Sequence, residues 1–383
     1  MGIQVNVNAI RTAGAALCAA ALLAAASGAR ADSFLEGLRH HPTLASTIPD
    51  NGDLNPYAVV VAPVSSGKIQ KGDVLVDNFN NVSNLQGTGG TIVDYSPATQ
   101  KTTLFAKLPQ NLPQCPGGIG LTTAMTMLSS GWVIVGSTPS TDGTTATKGQ
   151  GCLLVFDSNG NLATVWSGPQ INGPWGNMAT IDRGDQATLF VSMSGFDVPG
   201  PDKLDPVTGE PVIVRKATVL RIRLTIPAGG PPKIADETVI ADGFGQRADK
   251  DVFLIGPTGL ALIGDTLYVS DAVDNRIVAI KDAATRSTSA GVGIKVAEGG
   301  MMQRPLALIA TPQGHLVACN ARNGQVVEID PVSGKQIAAK WIDSNEAQSP
   351  PGNGDLFGLA MAPDGQGFYY VEDDVNMLAK ATP

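Results

Sequence analysis

The chain runs to 383 residues, 43% of them hydrophobic and 16% charged, enough apolar material to bury a core and to exclude a disordered polymer. Its 26 Lys and Arg are outnumbered by 34 Asp and Glu, giving a formal net charge of −8. An acidic chain without a basic run is unsuited to nucleic acid or to an anionic membrane surface.

Residues 1–31 read as a leader rather than as part of a fold. Arg11 precedes an apolar stretch over residues 13–26, and Ala29-Arg30-Ala31 supplies a small-x-small cleavage site before Asp32. The stretch is short for a membrane span, and Cys18 lies within it without a lipoprotein box. The expectation is a signal peptide cleaved near Ala31. The protein would then be exported to the periplasm or extracellular medium, with no membrane insertion. Residues 32–42 would follow as a short mobile or helical lead-in, and 43–383 as one domain.

Beyond the leader the chain is dense in Gly (45) and Pro (26), which suits all-β structure with many turns. A repeated unit shows how the strands are arranged. Gly256-Pro257-Thr258-Gly259-Leu260-Ala261, Leu267-Tyr268-Val269-Ser270-Asp271 and Arg276-Ile277-Val278-Ala279-Ile280 form one copy. Arg304-Pro305-Leu306-Ala307, Leu316-Val317-Ala318-Cys319-Asn320 and Gln325-Val326-Val327-Glu328-Ile329 form the next. Phe357-Gly358-Leu359-Ala360, Phe368-Tyr369-Tyr370-Val371-Glu372 and Met377-Leu378-Ala379 form a third. Short alternating strands at a period of roughly 45–55 residues are the signature of a β-propeller blade.

With that period the chain divides, in order, into six blades. Blade 1 is expected at residues 57–63, 73–77, 91–95 and 102–107. Blade 2 falls at 120–128, 132–137, 152–157 and 162–166, and blade 3 at 175–182, 188–193, 217–226 and 233–241. Blades 4 to 6 are the three copies quoted. The last reaches only its third strand before Pro383, and Asn353-Gly354-Asp355-Leu356 before it repeats Asn51-Gly52-Asp53-Leu54 before blade 1. Residues 44–48 are therefore expected to supply the missing outer strand, closing the ring and removing a free edge. Small residues in the first strands (Gly259, Ala261, Ala307, Gly358, Ala360) suit strands crowded around an axis. Cys115 and Cys152 fall in one blade and form the expected disulfide, while Cys319 reads as an inert buried thiol.

Strand direction places the loops between second and third strands, and those between blades, on one face, here called the top. The loops of blades 1–3 are long (78–90, 138–151, 195–216) and those of blades 4–6 are tight, which would wall one side of the channel mouth. Asp and Asn line this edge. Asn78, Asn80, Asp271, Asn320 and Asp373 are candidate ligand contacts, with Arg322 for an anion and Trp175 and Asn177 at the start of an inner strand. Asp77, Asp271, Glu372, Asp373 and Asp374 are candidate ligands for Ca²⁺ or another divalent cation, which takes six to eight oxygens. The competing role for such residues is ordinary turn chemistry, to which the run Glu372-Asp373-Asp374 is the least suited. The three histidines, His40, His41 and His315, fall away from the mouth, so no histidine base is placed there.

The stretch Gly256 to Ile280, with its Pro-x-Gly-Leu-Ala opening and Asp-Asn-Arg-Ile turn, resembles the NHL repeat. The likeness spreads more loosely over the other blades. It implies an exported bacterial NHL-type six-bladed propeller, distantly similar to the gluconolactonase-like propellers. That group holds a divalent metal with a Glu before the first inner strand and an Asn at a later blade. Asn55 stands at the first position here, and joins the candidate ligand contacts, and Thr258 at the second. Streptogramin-type lyases use a channel histidine, and none falls at a matching position. The leading expectation is a monomer that binds a small molecule or a protein through its top face. The alternative is a divalent-metal-dependent hydrolase or lactonase at the channel mouth.

Overall fold

The computed structural model describes residues 1–2 and 33–383, so the expected leader lies outside the described residues but for Met1 and Gly2. The chain folds as an all-β, six-bladed propeller. After β1 (Thr43–Ser46), blade 1 is β2 (Leu54–Val61), β3 (Val74–Asn80), β4 (Thr91–Ser96) and β5 (Lys101–Lys107). Blade 2 is β6 (Leu121–Met127), β7 (Val133–Ser137), β8 (Cys152–Phe156) and β9 (Leu162–Trp166). Blade 3 has five strands: β10 (Ala179–Asp182), β11 (Gln186–Met193), β12 (Val214–Thr225), β13 (Lys233–Asp249) and β14 (Phe253–Ile255). Blade 4 is β15 (Pro257–Ile263), β16 (Thr266–Asp271), β17 (Arg276–Ile280) and β18 (Ile294–Glu298). Blade 5 is β19 (Pro305–Ala310), β20 (Leu316–Asn320), β21 (Gln325–Ile329) and β22 (Gln336–Trp341). Blade 6 is β23 (Leu356–Met361), β24 (Phe368–Glu372) and β25 (Met377–Ala381), with β1 paired antiparallel to β25 as its outer strand.

Blade 3 departs from the expected pattern. Its fourth strand continues past residue 241 because β12 begins early and pairs with it from Val214 onward. The strand then turns back as a hairpin into β14, over the top of the ring. The small inner-strand residues are required by contact between neighbouring blades. A Cβ on Gly259 would lie 2.3 Å from the Leu308 nitrogen, and one on Gly358 2.3 Å from the Tyr57 carbonyl oxygen. Cys115 and Cys152 are joined by a disulfide. Cys319 is fully buried, its thiol pushed up to about 12 by burial, which keeps it unreactive.

The lead-in is docked rather than mobile. Residues Leu35–Gly37 make one 3-10 turn that buries Phe34, Leu35 and Leu38. The anchor is Glu328 of β21, a fully buried carboxylate. It accepts hydrogen bonds from Ser33 Oγ (2.6 Å), the Phe34 and Leu35 N–H groups (3.0 and 3.1 Å) and His315 Nδ1 (2.7 Å). Removing the acceptor strands three buried donors and the half-buried Ser33 hydroxyl. Glu328→Ala is therefore expected to cost about 3–5 kcal/mol and to expose the N-terminal segment to protease. Urea unfolding and limited proteolysis check this. An unchanged midpoint would mean the anchor contributes nothing.

Candidate metal centre

The top of the channel is filled by aromatic rings. Tyr57 stacks on Phe357 (centroids 4.0 Å apart) and on Phe79 (4.4 Å), and Trp175 meets Tyr57 edge-on at 5.9 Å. Phe253, at the hairpin between β13 and β14, completes the cluster 5.3 Å from Phe79. All five residues are buried. Trp175 is thus packing at the axis, not an open platform. Asn177 lies in the channel itself, tying blade 3 to blades 4 and 5. Its Nδ2 donates to the Leu260 and Leu308 carbonyls, and its Oδ1 accepts the Leu308 N–H. Thr258 is buried, its hydroxyl donating to the Gly256 carbonyl. Trp175, Asn177 and Thr258 are thus engaged in the packing and hydrogen bonding of the ring itself.

The candidate residues at the top edge are at corresponding register positions. Asn78, Asp271, Asn320 and Glu372 each pair with the start of their own blade's inner strand. Asn78 Nδ2 donates to the Thr47 carbonyl and Thr91 Oγ1, and Asn80 Nδ2 to Asn84 Oδ1. Asn320 accepts the Gln303 N–H and donates to the Met301 carbonyl and Asn323 Oδ1. These bonds knit turns together. Asp271 is buried and paired with Arg276 at 2.8 Å; burial first, then Asp274, push its carboxyl up to about 6 against that guanidinium. Asp77 is fully buried and accepts the Ala58 N–H at 2.8 Å. Asp77 and Asp271 are engaged in their own blades and do not join the remaining candidate acids.

Glu372, Asp373 and Asp374 do come together, with two partners that the sequence reading missed. The loop from β22 to β23 contributes Asp343 and Asp355, and carboxylate oxygens of Asp343, Asp355 and Asp374 all lie within 4.8 Å of one another. Asp343 is 8% exposed and Asp355 3%. Their Oδ2 atoms, and Gln348 Oε1 beside them, are buried without any hydrogen-bond donor. The other polar contacts build the cradle. Gln348 Nε2 donates to Asp355 Oδ1 (2.6 Å), Asn345 N–H to Asp343 Oδ1 (2.9 Å) and Asn345 Nδ2 to Asp374 Oδ2 (2.7 Å). The Asp373 N–H donates to the Asp355 carbonyl at 3.0 Å. Asn55, held at φ 63°, donates its N–H to Asn376 Oδ1 of the same turn.

None of these five acids is ion-paired with Lys, Arg or His among the described residues. Burial and the charge of neighbouring acids raise the pKa values of three of them, Asp355, Glu372 and Asp373. Burial, outweighing the Gln348 hydrogen bond, and the neighbouring Asp343 and Asp374 carry Asp355 up to about 8. Burial, then Asp343 and Asp374, carry Glu372 up to about 7. Asp373 is also pushed well above its ordinary value, by burial and then by Asp355 and Asp374. Buried acceptors without donors, in a group of unneutralised carboxyls, suit a hard divalent cation taking oxygen ligands.

No family model matches the chain, and no curated protein matches it in sequence. Solved structures do match in fold. A gluconolactonase from Xanthomonas campestris aligns over 90% of this chain and 96% of its own, at 12% identity and TM-score 0.51. The calcium-binding protein regucalcin from Agrobacterium tumefaciens aligns over 89% and 94%, at 13% identity and TM-score 0.50. The PQQ-bound aldose sugar dehydrogenase from Streptomyces coelicolor aligns over 90% and 98%, at 16% identity and TM-score 0.51. At these identities the likeness is one of fold, and gluconolactonase-type six-bladed propellers are among the structural neighbours of this chain.

Proposed function

We propose that the protein is a divalent-cation-dependent hydrolase of the lactone or ester class, working outside the cytoplasm after loss of its leader. Asp343, Asp355 and Asp374 would hold the cation off the channel axis, with Glu372 as proton acceptor. The observation that carries this reading is the pair of buried, donorless oxygens Asp343 Oδ2 and Asp355 Oδ2 facing a carboxyl cluster. The neighbouring gluconolactonase and calcium-binding propeller lend it support. A cation at this place would act as a Lewis acid toward an ester carbonyl. Glu372, whose carboxyl lies near enough to Asp343 and Asp374 to feel their charge, would take a proton from an attacking water once the cation offsets that repulsion. Water oxygen bonds to the carbonyl carbon, the ring C–O bond breaks, and the proton returns to the departing alkoxide to give a hydroxy acid.

The second reading is a ligand-binding propeller with a structural cation, favoured by the aromatic filling of the axis. Turnover of lactones and aryl esters separates the two. The hydrolase reading expects activity that chelation removes and added Ca²⁺, Mn²⁺ or Zn²⁺ restores. Asp374→Asn should lower it by about a hundredfold, since disturbing even the outer partners of a metal costs about 10–100-fold. Cation binding without turnover on any substrate of either class would transfer the site to the binding reading.

A further inference from the structure

Beside the acidic cluster stands its opposite. Arg247 and Asp249 project from the same face of β13, two residues apart. Arg304, at the start of blade 5, reaches Asp249 with its Nη1 at 2.9 Å, and Arg247 Nη1 reaches Glu210 at 2.8 Å. Arg322 completes the group through the backbone. The Ala321 N–H donates to the Arg304 carbonyl at 2.9 Å, and the Arg322 N–H to that of Gln303 at 3.2 Å. Two guanidinium groups thus meet two carboxylates, and the charge of Arg322 is near enough to act on Arg304, in a chain whose formal net charge is −8. Arg322 is half-buried, and its side chain makes no hydrogen bond or ion pair among the described residues.

The cost of this gathering is visible at Arg304. Burial, and then the charges of Arg247 and Arg322, pull it down to about 10 despite Asp249 and Glu210. Its backbone is also held in the left-handed region at φ 58°, uncommon for a residue with a side chain. The backbone carrying Arg322 is tied to the backbone carrying Asp355. The Gly354 N–H donates to the Ala321 carbonyl at 2.9 Å, placing the residue before Asp355 against the residue before Arg322.

We propose that Arg304 and Arg322, supported by Arg247, form an oxyanion subsite that takes a carboxylate or phosphate group on the ligand of the neighbouring centre. As a statement about substrate class it rests on the hydrolase reading: the lactone or ester would be an acidic one. Guanidinium forks match such groups in pairs of N–H···O bonds, which an ammonium cannot reproduce. Asp249 and Glu210 act as positioning residues, aiming Arg304 and Arg247 and leaving their other N–H groups free.

The test needs neither a substrate nor a metal. Inorganic phosphate and glycolate are titrated by calorimetry into the chelator-treated full chain at constant ionic strength, with chloride as control. Saturable binding of at least one probe is expected, and the stronger one assigns the group. Arg322→Ala should weaken it about tenfold or more, and Arg322→Lys less. No saturable binding of either probe, or binding indifferent to Arg322→Ala, overturns the proposal. Anion binding without hydrolysis leaves the subsite standing and removes the hydrolase, so the two failures are distinct.

Discussion

Calcium added to the chelator-treated protein at pH 8 is expected to raise its thermal midpoint by several degrees, and Asp355→Asn is expected to abolish that response. The same variant should be more stable than the parent when no cation is present. Ordinarily the loss of a buried polar contact weakens a fold, so this inverse pattern is diagnostic. Burial moves the Asp355 carboxyl from 3.8 to about 8. A carboxyl raised in this way binds its proton more tightly folded than unfolded. Its contribution to stability is therefore complete below about pH 4 and is lost as the pH climbs through about 8. Asparagine carries no such charge and escapes the loss. A cation reverses the balance by taking the ionised oxygens of Asp343, Asp355 and Asp374 together. Present at a hundred times its dissociation constant, it would add about 2.7 kcal/mol. Scanning calorimetry of both proteins, with calcium and with chelator, reads all four values. If Asp355→Asn keeps the parent's calcium response, Asp355 is not a ligand.

Why Asp355 escaped sequence reading is instructive. It stands in Asn353-Gly354-Asp355-Leu356, the same four residue types as Asn51-Gly52-Asp53-Leu54. In blade 1 the motif is a satisfied linker, with Asp53 Oδ2 accepting from the Gly90 N–H (3.0 Å) and Thr91 Oγ1 (2.9 Å). In blade 6 the corresponding oxygen meets no donor. The difference is made by residues far away in sequence, so identical local signals have different meanings. Glu372-Asp373-Asp374 was legible because three consecutive acids exceed what one turn uses. Asp343, alone in a long linker, looked like any loop residue. The ring and its closing strand were legible for the opposite reason. Each blade repeats one local pattern of alternating apolar residues, and the β1–β25 pairing follows from a blade short of one strand. The aromatic filling was not legible, since Tyr57 and Phe79 of blade 1, Trp175 and Phe253 of blade 3 and Phe357 of blade 6 converge only when the ring is closed.

The fold also carries an acid that titration should find at its centre. Asp77→Asn is expected to change little at pH 4 and to stabilise the protein by a few kcal/mol at pH 9. The register explains why. Asp77 occupies the position taken by Ser192 in blade 3, Ser270 in blade 4 and Cys319 in blade 5. Ser192 accepts its own blade's Gly176 N–H at 3.0 Å and donates to the Thr258 carbonyl of the next blade at 3.1 Å. Ser270 does the same between Gly259 and Leu306. Cys319 donates to the Phe357 carbonyl at 3.4 Å. At Asp77 the N–H of Ala58 is accepted as in the others, but Oδ2 has no partner. Burial, only partly offset by the Ala58 and Tyr57 backbone donors, carries its carboxyl from 3.8 to about 8. The neutral acid is the form the site tolerates. Its raised pKa means that stability from this group is full below about pH 4 and lost as the pH rises through about 8, a loss on the order of 5 kcal/mol when complete. Asparagine has no charge to acquire. Urea unfolding of parent and variant from pH 4 to 9 should therefore give curves that meet at the acid end and diverge at the alkaline end. Parallel curves would show that Asp77 does not carry the shift, and that the alkaline weakening of the fold belongs to the acids of blade 6.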